Sequence, residues 1–144
     1  MVDPNAPAEL QASIELFYFA YRAFTSRPDH ILEKRGLGRV HHRILYFVGR
    51  NQSITVNALL ATLKVSKQAL NTPLRQLIEM KLVSVALAEH DRRVKQLALT
   101  ADGRRLEAQL TATQVKHLAD AFAAAGEDAA RGWRKVMQDI PRRS

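Results

Sequence analysis

Cysteine is absent from all 144 residues, which excludes disulfides, thiolate metal ligands and thiol redox chemistry. No apolar run approaches the roughly 20 residues that a membrane-spanning helix requires. The N-terminal MVDPNAPAEL lacks the basic-then-apolar plan of a secretory signal. These absences lead to the expectation of a cytoplasmic protein without a membrane partner. None of the five histidines, at 30, 41, 42, 90 and 117, pairs with another at i, i+4 spacing. His41 and His42 diverge by about 100° on a helix, so no metal site is expected. There is no nucleophile elbow, P-loop or glycine-rich dinucleotide fingerprint, and Glu89, His90 and Asp91 are neighbours that splay into solvent. Neither an enzyme nor a cofactor is expected.

Acidic residues are also in short supply. Fourteen Asp and Glu face 22 Lys and Arg, leaving a net charge of +8 and pointing to a polyanionic partner such as nucleic acid. The excess is localised. Residues 51–105 carry net +5 and residues 27–50 net +4, whereas 1–26 sum to −2 and 106–144 to +1. An apolar content of 47% in a chain of this length is enough for one domain with its own core.

Periodicity supplies the elements. Leu10, Ile14, Phe17, Tyr21 and Phe24 recur at alternating spacings of four and three, which predicts a first helix over 8–26 with a continuous apolar seam. RPDHILEKRGLG, 27–38, reads as a connector, and a second helix follows over 38–50. Thr55 is placed to cap a short third helix, and Ser66 a fourth over 66–80 in which Leu70, Leu74, Leu77 and Ile78 share one side. So short a turn between them marks a helix-turn-helix. The alternating runs 82–89 and 94–100 predict a β-hairpin with EHDRR at its tip. Thr100 then caps a long helix ended by Gly126, and a last helix starts at Glu127 and Asp128. The fold expected is mainly α with a small β-hairpin wing, a winged helix-turn-helix flanked by terminal helices.

Pro73 lies inside the fourth helix, where it removes a hydrogen bond at a cost of about 3 kcal/mol. Two outcomes are open: a kink, favoured because the apolar spacing continues in phase, or a break with Thr72 recapping a second segment. Lys81 occupies the position after the helix where glycine would be comfortable. A left-handed lysine there costs about 1–2 kcal/mol, and exit by another turn is the open alternative.

The order of elements, together with SITVNALLATLKVSK, LIEMKLV and DRRVKQLALTADG, resembles the MarR family of winged-helix transcriptional regulators. The last stretch fits the family's wing signature: D-x-R, a five-residue strand, Leu-Thr, and a glycine after two more residues. The resemblance implies one domain over 1–144, with a DNA-binding lobe at 27–105 and dimerisation helices at 1–26 and 106–144. It implies a homodimer on a pseudo-palindromic operator in double-stranded DNA, most simply as a repressor. Ser66, Lys67, Gln68, Asn71, Thr72 and Arg75 are then left on the DNA side of the fourth helix. Asp91, Arg92, Arg93 and Lys95 belong to the wing, with Asp91 orienting the Arg93 fork toward DNA. Relatives commonly carry a basic residue where Thr72 stands and an aliphatic one where Pro73 stands. Two other readings therefore stay open, a winged-helix protein-interaction module and a nonspecific architectural DNA binder. The resemblance further implies a small aromatic or anionic effector between the lobe and the terminal helices, near Tyr18, Tyr21, His41, His42, Arg43 and Tyr46.

Overall fold

A computed structural model describes residues 3–144. Helix α1 spans Pro7–Glu33, α2 Arg39–Arg50, α3 Val56–Leu63, α4 Lys67–Glu79, α5 Ala101–Ala125 and α6 Glu127–Asp139. Strand β1 is Ile54–Thr55, β2 Val83–Leu87 and β3 Lys95–Leu99, in one antiparallel sheet ordered β1-β3-β2. A single turn of 3₁₀ helix over Ile140–Arg143 closes the chain. No helix among the described residues is long and apolar enough to cross a membrane.

The local caps form where the side chains invite them. Thr55 Oγ1 accepts from Ala58 N–H, Ser66 Oγ from Ala69 N–H and Thr100 Oγ1 from Gly103 N–H, opening α3, α4 and α5. Leu70, Leu74 and Leu77 are buried on one face of α4 and join Leu32, Ile44, Leu45, Val48, Leu59, Leu82, Leu97, Leu106 and Leu110 in the core. That core sits within the helix-turn-helix, the sheet and the first half of α5. It leaves the N-terminal half of α1 and most of α6 with exposed apolar side chains.

Two expectations need correction, and two alternatives left open are decided. The first helix does not stop at Ser26 but runs through Pro28 to Glu33, so most of the expected connector is helical and the 26/27 division falls within α1. Burial outweighs the missing hydrogen bond, because Pro28 and Leu32 are fully enclosed. The sheet has a third strand, β1, whose Ile54 and Thr55 pair with Leu97 and Gln96; two residues carry no periodicity to read. No break occurs at Pro73: α4 is a single helix, and Thr72 does not recap a second one.

Lys81, finally, does adopt the left-handed conformation, at φ +60°. Leu82 N–H donates to the Leu77 carbonyl and Lys81 N–H to that of Ile78, the paired bonds of a Schellman motif. Leu77 and Leu82, both fully buried, supply its apolar contact and hold the lysine in place. Lys81→Gly should therefore raise stability by about 1 kcal/mol in urea unfolding, relief of the left-handed strain exceeding the extra entropy of glycine in the unfolded chain. Lower stability would mean that the motif is not strained.

Candidate nucleic-acid interface

Helix α4 presents its polar side outward. Ser66, Lys67, Gln68, Asn71, Thr72 and Arg75 are all exposed, opposite the buried leucines. The turn that delivers it is tight: Lys64 closes α3 in the left-handed conformation, φ +55°, with its N–H donating to the Leu60 carbonyl.

Beyond α4 the hairpin forms the wing. At its tip Arg93 Nε donates to Asp91 Oδ1 and Nη2 to Asp91 Oδ2, both at 3.1 Å, while Arg93 N–H donates to Oδ1 at 3.0 Å. The guanidinium first, then the backbone N–H, hold the Asp91 carboxyl below the ordinary carboxylate range. The Arg93 side chain is 91% exposed against 31% for Asp91, so the carboxylate anchors one edge of the fork and leaves the rest free. Arg92 and Lys95 are exposed beside it.

Between α4 and the wing lies an open groove lined by Lys67, Asn71, Leu74, Arg75 and Ile78 from α4. Thr55, Val56 and Asn57 from the start of α3, and Val85, Arg93, Val94, Lys95 and Leu97 from the hairpin, complete it. Five of the ten residues expected at DNA thus converge on one concavity. Ser66, Gln68 and Thr72 lie exposed on α4 outside that lining, and Asp91 and Arg92 at the tip. Sequence reasoning missed Thr55 and Asn57 as groove residues. Their only local signal was the capping position of Thr55; it is β1 pairing with β3 that carries them to the wing.

The six residues expected near an effector are dispersed in role. Arg43 Nη2 donates to the Tyr21 hydroxyl at 2.8 Å, and the Arg39 guanidinium lies 5.5 Å above the same ring while also holding Asp29 at 2.7 Å. Tyr18 packs edge-on to Phe19, and Tyr46 edge-on to Phe47 beneath Arg50. His41 is engaged at both ring nitrogens, with Gly38 and Gln76. None of the six lines the α4–wing groove or the second groove, between α5 and α6.

His42 is buried, and its Nε2 has no partner among the described residues. Burial pushes this imidazole below its ordinary value, against the pull of Asp29 and with the help of Arg43. The unfolded chain then binds a proton that the folded one resists. Stability should fall as the pH drops below about 6.5, the ordinary imidazole value. His42→Leu should flatten that part of the profile, as read from urea midpoints at pH 7.5 and pH 5; an unchanged slope would assign the acid sensitivity elsewhere.

A helix-turn-helix with an exposed second helix, a basic groove and a hairpin wing defines a winged-helix protein. The MarR family profile matches residues 35–94, and the HTH-type transcriptional regulator PetP of Rhodobacter capsulatus is 41% identical over 96% of this chain and 89% of its own. The chain belongs to the MarR family and is a transcriptional regulator of it, a non-enzymatic DNA-binding protein. The fold agrees with that of Streptococcus pneumoniae FabT solved in complex with DNA, at a TM-score of 0.82 and 16% identity over 92% of this chain and 95% of that one. The S. aureus MepR–DNA complex gives 0.75 and 17%, over 90% and 96%.

Proposed function

We propose that the protein represses transcription in the cytoplasm as a homodimer on a pseudo-palindromic operator. One α4 per protomer enters successive major grooves, about 34–36 Å apart, with the wings beside them. Gln68 and Asn71 read adenine edges, Arg75 guanine or phosphate, and Ser66, Lys67 and Thr72 position the helix on the backbone. At the wing, Asp91 presents Arg93 to the minor groove, while Arg92 and Lys95 neutralise phosphates. The observation that carries this reading is the α4–wing groove, where Lys67, Asn71 and Arg75 meet Arg93 and Lys95.

The test is fluorescence anisotropy on DNA from beside the protein's own gene, with random DNA as competitor. Arg93→Ala should weaken binding by about ten- to a hundredfold and lower the salt slope by about one. Binding erased by competitor would favour the architectural alternative, and no binding at all a protein partner.

The dimer rests on uncovered apolar surface. Ile14 and Leu16 are 68% and 70% exposed in the single chain, and Leu10, Phe17, Phe19, Val115, Trp133, Val136 and Ile140 are exposed with them. Light scattering should give a dimer at micromolar concentration and a monomer for the double variant Ile14→Asp, Phe17→Asp. A monomeric wild type would overturn the dimer. Arg43 donates to the Tyr21 hydroxyl and meets no carboxylate among the described residues, which leaves its guanidinium open to an anionic effector.

A further inference from the structure

His41 sits in the first turn of α2, and its ring reaches Gln76 of α4, 35 residues further along the sequence. Gly38 N–H donates to His41 Nδ1 at 3.0 Å, so this imidazole takes the place that Glu or Gln fills in a capping box. A backbone N–H can only donate, which fixes Nδ1 as the acceptor. The ring proton is thereby placed on Nε2. Nε2 lies 2.8 Å from the Gln76 side-chain oxygen on α4, and Nε2–H donates to it. The orientation of the Gln76 amide follows: its oxygen faces His41, and its NH₂ has no partner among the described residues on an exposed side chain. Gln76 stands one turn beyond Thr72 and next to Arg75, exposed on α4 but outside the lining of the α4–wing groove, a position suited to the DNA backbone rather than to a base edge.

We infer that Gln76 donates its amide NH₂ to a DNA phosphate and that His41 is the positioning residue that sets the amide for this contact. The inference rests on the DNA-binding reading of α4 and extends it to two residues which that reading did not include. A neutral donor releases no counterion. Its removal therefore lowers affinity equally on all sequences and leaves the salt slope unchanged, unlike removal of Arg93 or Lys67.

Anisotropy on a random-sequence duplex, over a range of salt, tests this with Gln76→Met, His41→Phe and the double variant. Gln76→Met keeps the α2 cap intact, so its result stands even if His41→Phe folds poorly. The expected result is about fivefold weaker binding for Gln76→Met, with the slope of the wild type. His41→Phe should lose a similar amount, and the double variant no more than either single, because one residue acts through the other. Wild-type affinity in Gln76→Met, a slope changed by about one, or multiplied losses in the double variant would each overturn the inference. Failure of the wild type itself to bind would instead strike the DNA-binding reading, and the inference with it.

Discussion

Gly103→Ala is expected to destabilise the protein by about 3 kcal/mol or more and to loosen the base of the wing. Gly103 is in the first turn of α5, where a Cβ would lie 1.9 Å from the Leu82 carbonyl oxygen and 2.9 Å from its carbon. No rotamer relieves a clash between a Cβ and backbone, so one of the two segments must move. Both are tied. The Leu82 carbonyl accepts from Thr100 N–H at 3.1 Å, and the Lys81 carbonyl accepts from the Thr100 hydroxyl at 2.7 Å. That same hydroxyl caps α5 through Gly103 N–H. Moving α5 away breaks these contacts together, and Leu82 is part of the core. Urea unfolding measures the loss. Because the strained segment leads directly into β2, DNA affinity should fall as well, even though Gly103 lies outside the groove. A loss below about 1 kcal/mol would mean that the α4–β2 turn yields easily, and the wing would then be a loosely held element.

Pro73→Ala is expected to do the opposite, raising stability by about 2 kcal/mol. Proline has no N–H to offer the Ala69 carbonyl, and its ring crowds the preceding turn, together costing about 3 kcal/mol in a helix interior. Proline also restricts the unfolded chain, and that benefit of up to about 1 kcal/mol disappears on replacement. The helix persists because Leu70 and Leu74 bracket the proline and Leu77 follows one turn later, all three buried. At roughly 2 kcal/mol each, their burial exceeds the penalty about twofold. Calorimetry of Pro73→Ala would show the gain as a higher Tm. An unchanged Tm would mean that the freed carbonyl is already satisfied and the ring is accommodated. DNA titration of the same variant separates stability from reading. Asn71 and Lys67 precede the proline while Arg75 follows it, so a change in sequence preference without loss of affinity would assign Pro73 a part in aiming the helix.

The amino-acid sequence by itself determined the helix-turn-helix, its caps and the wing. Their signals are local: hydroxyls three residues ahead of the N–H they receive, leucines at spacings of three and four, and Asp91 two residues from the arginine it holds. Fold class followed from those signals, whereas the MarR family was a resemblance carried by the motifs between Ile54 and Leu106 and shown by similarity to a known member. The tertiary structure decided the rest, because there the balance lies between partners distant in the chain. Burial of Pro28 and Leu32 carries α1 through a proline at which propensity would end it. A two-residue strand exists only because Leu97 and Gln96 offer it backbone partners, and it brings Thr55 and Asn57 to the groove. Lys81 accepts a left-handed conformation because two buried leucines close over the turn. His41, read from the sequence as a residue near an effector, is fixed by its bonds to Gly38 and Gln76, since only packing of α2 against α4 sets which donor meets which acceptor.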